Sequence, residues 1–349
     1  MRAPVLYVDA PALLGHNCID RRQLPDAILD LPQRIEPLLC AVQALVESGA
    51  ATRRDTGRAA TMAEVARCVS PQYLAGLHRA VARSLETPLE WTYLDEDQTS
   101  IATPTSLEYA LRSAGCVVEA ALSALERKAS HGEPGRVFAL ARPPGHHNSC
   151  TVELERDYPL EDGTTANWVW GCHGGCLLPN IPIAVSAVRE RWGADLRVAV
   201  VDIDAHFGDG TFAHFSGDAS VFTVSLHEDQ GPGMYPFFQG GASENTPTAI
   251  NLALPPRSGD DAALRALRGA LKEVAAFCPS LVLVACGFDA LAADPSSTLV
   301  YSAAGYGALV GAIVDALPDV PVVLALEGGY APVEMALAFA AVVAALGGR

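Results

Sequence analysis

Short, continuously apolar segments recur along this chain and alternate with longer segments of helical periodicity. The apolar segments predict buried strands at residues 4–8, 137–141, 198–203, 221–226, 281–286 and 320–326. The periodic segments predict helices at residues 106–129, 181–192, 260–277, 303–317 and 332–346. Strands that are apolar along their whole length are typical of a parallel sheet buried between two layers of helices. The sequence therefore predicts an α/β fold of three layers, α/β/α, with a mostly parallel central sheet.

Composition narrows the class of protein. No Pro/Gly/Ser-rich linker, repeat or low-complexity tract divides the 349 residues, so we expect one domain at residues 1–349. The formal net charge of −16 argues against partners that need a basic surface, namely nucleic acid and anionic membranes. An acidic surface suits a cationic substrate, or it serves solubility. The nine cysteines and the absence of a long apolar segment predict a reduced, cytoplasmic protein.

Polar residues follow the predicted strands at the point where each strand ends. In parallel sheets ligands bind beyond these carboxyl ends, so we expect the polar residues to form one site. The segments that follow the strands are R-P-P-G-H-H at 142–147, D-I-D-A-H-F-G-D at 202–209, S-L-H at 225–227, G-F-D at 287–289 and E-G-G-Y at 327–330. Carboxylates, paired imidazoles and a phenol are therefore predicted to gather at one edge of the sheet.

Two of these segments contain a set of metal ligands. Asp202, Asp204 and His206 alternate along the end of one strand and so share a face. Asp204 and His206 with Asp289 provide two carboxylates and an imidazole, which is the three-ligand set that a catalytic zinc site uses. A solvated, acidic end of an ordinary strand is the alternative interpretation.

Five side chains predict the chemistry at this metal. His146 and His147 follow a rigid Pro-Pro-Gly turn and are candidate general bases, while Asp202 and Asp209 could each accept a proton from one of the imidazoles. Tyr330 follows two glycines, which predicts a loop flexible enough to move its hydroxyl toward a developing oxyanion. Structural histidines and a core tyrosine are the alternatives. Together the groups describe hydrolysis of an amide or ester carbonyl.

In this order, R-P-P-G-H-H, D-x-D-x-H, G-F-D and E-G-G-Y resemble the histone deacetylase and acetylpolyamine amidohydrolase superfamily, whose members have the arginase-deacetylase fold. The resemblance covers most of the chain from about Asp95 onward. It implies zinc at Asp204, His206 and Asp289, proton transfer by His146 and His147, and a carbonyl polarised by Tyr330. It also implies a structural potassium ion around Asp202, Asp204, His206, Ser225 and Leu226.

The chain departs from the family pattern around the expected acyl channel. The usual glycine-aromatic-cysteine stretch is Gly174-Gly175-Cys176, so Gly175 replaces an aromatic wall. Met234 and Tyr235 are expected on the opposite wall, where Tyr235 could pack on a methylene chain. Phe207 replaces a second histidine, a change that should leave zinc binding intact.

Residues 148–173 form an insertion that we expect to be a loop at the mouth of the site. Its acids and its Trp168 and Trp170 could contact a cationic or elongated substrate or a partner subunit, or the tryptophans could anchor a solvated loop. A structural zinc site is a further alternative, although its residues fit no common spacing. They are Cys150, Cys172, His173 and Cys176.

The sequence favours a zinc-dependent deacylase acting on a peptide or small-molecule acyl amine, and leaves assembly of several copies open. Acetylpolyamine hydrolysis is the alternative, although Ser296 stands where the family's gatekeeper glutamate is expected. An arginase-like ureohydrolase needs a second metal, and Ala290-Leu291 stands where a further carboxylate would be required. A non-catalytic acyl-lysine binder would have lost a ligand, a base or the tyrosine, and all of these are present.

Overall fold

The computed structural model describes residues 3–17, 24, 26, 28–95, 98–149, 171–229, 231 and 240–348, with the backbone of 155–159 and 165–169. The strands of these residues are β1 Val5–Val8, β2 Thr52–Asp55, β3 Thr92–Tyr93, β4 Ile101–Ala102, β5 Arg136–Leu140, β6 Glu155–Pro159, β7 Thr165–Val169, β8 Val198–Asp202, β9 Val221–Glu228, β10 Ala249–Leu254, β11 Leu281–Cys286 and β12 Val322–Leu326. Eight of them form one sheet in the order β10-β9-β8-β11-β12-β5-β1-β2. Every neighbouring pair in this sheet is parallel.

Helices cover both faces of the sheet. They are α1 Ala10–Gly15, α2 Glu36–Glu47, α3 Met62–Val65, α4 Pro71–Ser84, α5 Ser106–His131, α6 Asn180–Trp192, α7 Asp209–Phe215, α8 Asp260–Phe277, α9 Ala303–Ala316 and α10 Pro332–Leu346. Buried residues of α2, α8, α9 and α10 form the core on one face, and those of α4, α5 and α6 form the core on the other. The predicted three-layer fold with a parallel sheet is confirmed.

The apolar strand sequences follow from burial on both faces. In β8, Ala199 and Val201 belong to one core while Val198 and Val200 belong to the other, because successive side chains of a strand point to opposite faces. All five residues of β8 are buried. Both faces of β8 are covered by core residues, so its side chains are apolar up to its last residue, Asp202. The chemistry therefore begins where the strand ends.

The predicted strands and helices match the structure closely, but two strands of the sheet were missed. β2 is the edge strand, and its residues Thr-Arg-Arg-Asp are all exposed, so it lacks the apolar signal. β10 lies at the other edge and mixes buried with partly buried residues, although only Asn251 among its six residues is polar. The exposed side chains of β2 stay in contact with water, so this edge strand needs no apolar sequence.

The insertion at residues 148–173 contains regular structure, which differs from the predicted loop. β6 and β7 pair as an antiparallel hairpin, with Glu155 opposite Val169. The acidic residues of this segment obscured the period-two pattern that indicates a strand.

Candidate active site and metal centre

Asp204, His206 and Asp289 meet at one edge of the sheet. Asp204 and His206 follow β8, Asp289 follows β11, and these two strands are neighbours in the sheet. His206 Nδ1 lies 3.2 Å from Asp204 Oδ1 and 3.0 Å from Asp289 Oδ2. One ligand atom from each of the three residues lies within 4.8 Å of the others. Parallel strand order therefore brings together residues that are 83 positions apart in the chain.

Main-chain groups fix the orientation of this cluster. Gly328 N donates to Asp204 Oδ2 at 3.0 Å, and Ala205 N donates to Asp289 Oδ1 at 2.7 Å. His206 Nε2 donates to the carbonyl of Ser296 at 3.3 Å. Burial lowers the pKa of His206, but the hydrogen bonds with Asp204 and Asp289 outweigh it and raise this pKa to about 10, so without a metal ion Nδ1 carries a proton that faces the two carboxylates. A bound metal ion would replace that proton and be held by Nδ1 and the two carboxylates.

The donor set fits a divalent cation. Burial raises the pKa of Asp289 to about 7, and the adjacent Asp204 adds to the rise, because two buried carboxylates repel each other when both are charged. Either a proton or a metal ion relieves this repulsion. Two carboxylates and one imidazole suit zinc, which accepts oxygen and nitrogen ligands. A Cβ atom at Gly287 or Gly328 would overlap these carboxylates, so both glycines permit the close approach.

His146 and His147 stand beside this cluster with different partners. His146 Nδ1 lies 2.9 Å from Asp202 Oδ2, and His147 Nδ1 lies 2.6 Å from Asp209 Oδ1. Asp202 ends β8 and Asp209 begins α7. The two ring centroids are 4.0 Å apart. Both carboxylates thus occupy the places that the sequence predicted for them.

The two histidines differ in proton affinity. Burial alone lowers the pKa of His146, but Asp204 and Asp202 outweigh it and hold this pKa well above the ordinary value. Burial lowers the pKa of His147 well below the ordinary value, and His146 and His173 lower it further against the pull of Asp209. A cationic His146 next to a neutral His147 gives the second residue the free lone pair that a general base needs.

Glu327 supports the histidine turn and was not singled out as a site residue. Its Oε2 accepts the backbone N–H groups of Gly145 at 2.7 Å and His146 at 3.2 Å. Burial raises the pKa of this carboxyl group to about 7, while the nearby His146 opposes the rise. The E-G-G-Y segment therefore contributes two residues to the site: Glu327, which holds the backbone of the histidine turn, and Tyr330.

The backbone around Tyr330 is held from two sides, in contrast to the flexible loop expected from its glycines. Arg34 Nε donates to the carbonyl of Gly329 at 2.7 Å, and its guanidinium also donates to the carbonyl of Glu327. Asp294 Oδ2 accepts the N–H of Tyr330 at 2.5 Å. Burial raises the pKa of Tyr330 well above its ordinary value, against the effect of Arg34, so the phenol keeps its proton and can donate it in a hydrogen bond.

Two buried arginines, Arg34 and Arg142, share the carboxylate of Asp30 beside the Tyr330 loop, and the sequence did not predict this carboxylate. Asp30 Oδ1 accepts from Arg34 Nη1 and from Arg142 Nε, both at 2.9 Å. Arg142 also donates to the carbonyls of Leu13 at 2.7 Å and His16 at 2.8 Å. Arg142 precedes the Pro-Pro-Gly turn, so the same cluster connects the histidine loop to the loop of Tyr330.

A cavity of about 340 Å³ opens onto the metal-ligand cluster. Gly174 and Gly175 line it, as predicted for the acyl channel, and both have positive φ angles, of 60° and 77°. Their N–H groups donate to Thr99 Oγ1 at 2.8 Å and Ser100 Oγ at 2.9 Å. The remaining lining residues are Leu29, Asp30, Thr99, Pro144, His146, His147, Asp204, His206, Asp289, Ser296, Gly328 and Tyr330.

The other predicted residues are only partly covered by the structure. Met234, Tyr235, Trp170 and Cys150 lie outside the described residues, as does the side chain of Trp168. Ser225 pairs in register with Asp202, and its Oγ lies 2.9 Å from His227 Nδ1, so the potassium site at Asp202, Ser225 and Leu226 stays a prediction. Phe207 is buried and its ring packs against Phe212 and His227.

His173 does not form the alternative cysteine-histidine zinc site with described residues. Its Nε2 lies 2.8 Å from Asp209 Oδ2, while His147 contacts the other oxygen, Oδ1, of the same carboxylate. Cys176 instead places its Sγ 3.5 Å from the N–H of His147. In the part of the chain that the structure describes, no helix combines the length and apolar content needed to cross a membrane.

Comparisons with known proteins identify the family of the chain. A family model described as "Histone deacetylase domain" matches residues 31–346. "Histone deacetylase 10, chloroplastic" of Oryza sativa subsp. japonica is 28% identical over 346 residues, which cover 94% of this chain and 70% of the relative. "Histone deacetylase-like amidohydrolase" of Pseudomonas aeruginosa is 34% identical over 254 residues, 70% of this chain and 60% of the relative.

A solved structure shows the same fold over nearly the whole chain. The acetylpolyamine aminohydrolase from Burkholderia pseudomallei superposes with a TM-score of 0.78 at 23% identity, covering 99% of this chain and 98% of the other. This likeness supports the arginase-deacetylase fold that the motifs implied. The family model matches most of the residues, and the site motifs lie within the match. The chain therefore belongs to the histone deacetylase and acetylpolyamine amidohydrolase superfamily, whose function is of the deacetylase type.

Proposed function

We propose that this protein is a zinc-dependent deacetylase that hydrolyses an N-acylated amine, either acyl-lysine in a peptide or a small acylated amine. The observation that carries the proposal is the placement of Asp204, His206 and Asp289 at the base of one cavity, with His147 and Tyr330 lining the same space. Metal ligands, base and phenol donor are the groups that amide hydrolysis requires.

The residues have distinct parts in the proposed reaction. When bound by Asp204, His206 and Asp289, zinc supplies a Lewis acid for the acyl carbonyl and for the attacking water. His147, neutral and oriented by Asp209, takes the proton of the water and delivers a proton to the amine nitrogen as the C–N bond breaks. Tyr330 donates a hydrogen bond to the acyl oxygen as negative charge develops there.

His146 has an electrostatic role in this proposal. Its Nδ1 lies 2.9 Å from Oδ2 of Asp202, a carboxylate outside the proposed zinc ligands, and this partner favours the protonated ring while His147 exchanges protons. A fixed positive charge beside His147 keeps that imidazole neutral before the reaction and favours release of its proton afterwards. The two histidines and their two carboxylates therefore titrate as one coupled group.

Acetylpolyamine hydrolysis is the second candidate function. Polyamine chains carry several positive charges, and the net charge of −16 favours their approach. Ser296, which lines the cavity where a gatekeeper glutamate was expected, provides no charge at that position. Acyl-lysine or a small acyl amine therefore remains the first choice. A potassium ion near Asp202 and a cytoplasmic location are further expectations of the proposal, which leaves the oligomeric state open.

A turnover screen of the zinc-loaded protein tests the proposal. Acetyl-lysine peptides, acetylpolyamines and longer acyl amides are compared by release of the free amine, before and after removal of zinc by a chelator. His147→Ala should abolish turnover, whereas His78→Ala, which removes an exposed histidine of α4, should not. Turnover that is insensitive to chelation or equal in His147→Ala would contradict the proposed chemistry.

A further inference from the structure

One carboxylate, that of Asp209, lies between two imidazoles. His147 Nδ1 is 2.6 Å from Oδ1, and His173 Nε2 is 2.8 Å from Oδ2. The ring centroids of His147 and His173 are 4.5 Å apart. Each oxygen of the carboxylate thus has an imidazole nitrogen at hydrogen-bond distance. None of the four motifs that carry the family resemblance contains His173.

The backbone holds His173 in this position. The carbonyl of His173 accepts the N–H of Cys176 at 3.0 Å, which closes a tight turn. The next residue, Gly174, donates to Thr99 Oγ1 at 2.8 Å. Asp95 in turn accepts the N–H of Thr99 at 2.9 Å, so the turn is connected to the loop between β3 and β4. His173 is therefore anchored independently of Asp209.

An anchored donor on Oδ2 restricts what the Asp209 carboxylate can do. A carboxylate with one hydrogen bond can rotate about its terminal torsion, which has a broad energy minimum. A second donor on the other oxygen fixes the plane of the group. Because Asp209 Oδ1 accepts the Nδ1–H of His147, a fixed carboxylate keeps the opposite nitrogen, Nε2, directed at the reacting atoms. Loss of such orienting partners reduces activity without removing a reacting group.

We propose that His173 is a positioning residue for the reaction: it donates its Nε2–H to Asp209 and thereby fixes the carboxylate that orients His147. The inference rests on the proposed function, because His147 is its base. The three side chains form a hydrogen-bonded series, His173–Asp209–His147, with the two rings side by side, and of the three only His147 lines the cavity that contains the metal ligands.

Two variants of similar size separate the hydrogen bond from packing. His173→Gln keeps an N–H donor, whereas His173→Met has a comparable chain length and no donor. We expect His173→Met to lower kcat by about tenfold to hundredfold, the usual effect of removing an orienting partner, with KM changed less than about twofold. His173→Gln should restore most of kcat. Zinc content and thermal melting, measured for both, identify any loss of metal or fold.

Nitrogen-15 spectra of histidine-labelled, zinc-loaded protein provide a readout that needs no turnover. The proposal expects the His147 Nδ1–H signal to keep its hydrogen-bonded position in His173→Gln and to shift or broaden in His173→Met. A His173→Met protein with wild-type kcat and an unchanged His147 signal overturns the inference. Equal loss of kcat in both variants also overturns it, because packing would then explain the effect. If the wild type hydrolyses no acyl amide, the proposed function fails, while the spectra still test the positioning.

Discussion

Replacing Gly175 with phenylalanine restores the aromatic residue that the family pattern has at this position of the channel. Gly175 lines the cavity above the metal ligands, and a Cβ atom placed on it would lie 3.4 Å from Asp30 Cβ and 3.9 Å from Pro144 Cγ. These are ordinary contact distances. The ring would therefore enter the cavity of about 340 Å³ instead of being excluded by its surroundings.

The backbone sets a cost that can be separated from the effect of the ring. Gly175 has a φ of 77°, a left-handed conformation that costs a residue with a side chain about 1–2 kcal/mol. Gly175→Ala carries the same cost without the ring, so it is the matched control. We expect both variants to melt at a similar, slightly lower temperature than the wild type, because the strain is shared.

The ring should change selectivity toward the acyl group. A hydrophobic pocket discriminates by about 1–3 kcal/mol per methylene, which corresponds to roughly 10–200-fold in kcat/KM. Gly175→Phe should therefore reduce kcat/KM for longer acyl amides at least about tenfold more than kcat/KM for the acetyl amide. The assay compares both substrates in wild type, Gly175→Ala and Gly175→Phe. A well-folded Gly175→Phe with the acyl preference of Gly175→Ala would show that position 175 does not limit the channel.

Three further predictions concern the metal, the phenol and the buried charges. Tyr330→Phe should keep zinc and lose about two to three orders of magnitude in turnover, as when one oxyanion donor is removed; wild-type turnover would make Tyr330 structural. Asp289→Ala should lose zinc by metal analysis, and full zinc occupancy with intact activity would refute the ligand assignment. Asp30→Asn should lower the free energy of unfolding in urea by about 3–5 kcal/mol, because Arg34 and Arg142 lose their shared counter-ion. Burial raises the pKa of Asp30, but Arg142 and Arg34 outweigh it and hold this pKa below the ordinary value of 3.8. The contribution of Asp30 to the free energy of unfolding is therefore present above pH 3.8 and is lost as the pH falls through the lowered pKa. A difference in stability between variant and wild type that grows on acidification would contradict this.

Those parts of the site that depend on strand order could be predicted from the sequence. A parallel sheet directs the carboxyl ends of its strands to one edge, so residues that follow apolar segments meet there even when they are far apart in the chain. Asp204 and Asp289 met for this reason, because β8 and β11 are neighbours. Asp202 and Asp209 were predicted beside the histidines because a ligand or base histidine usually has such a partner.

The supporting groups could not be predicted in this way. Asp30 and His173 lie on segments between regular elements, Arg34 ends a single turn of 3-10 helix at Pro32–Arg34, and no periodic pattern relates such residues to their partners. Asp30 and Arg142 are 112 positions apart, and either charge, considered alone, is expected on a surface. Only the folded chain shows that each buries its charge against the other.

The glycines before Tyr330 show why one sequence signal was misread. Two adjacent glycines were taken to indicate a flexible loop, but Gly328 has no room for a Cβ atom beside Asp204 and Asp289, and Gly329 has a φ of 116°. Gly328 is therefore required for close packing and Gly329 for a backbone with positive φ, and only glycine satisfies either requirement at low cost. Arg34 and Asp294 then hold the same segment by hydrogen bonds to its backbone. Glycine permits a conformation without making it mobile, and here its neighbours hold the backbone from which the Tyr330 side chain reaches the cavity, so that the proposed hydrogen bond from Tyr330 would need little movement of this segment.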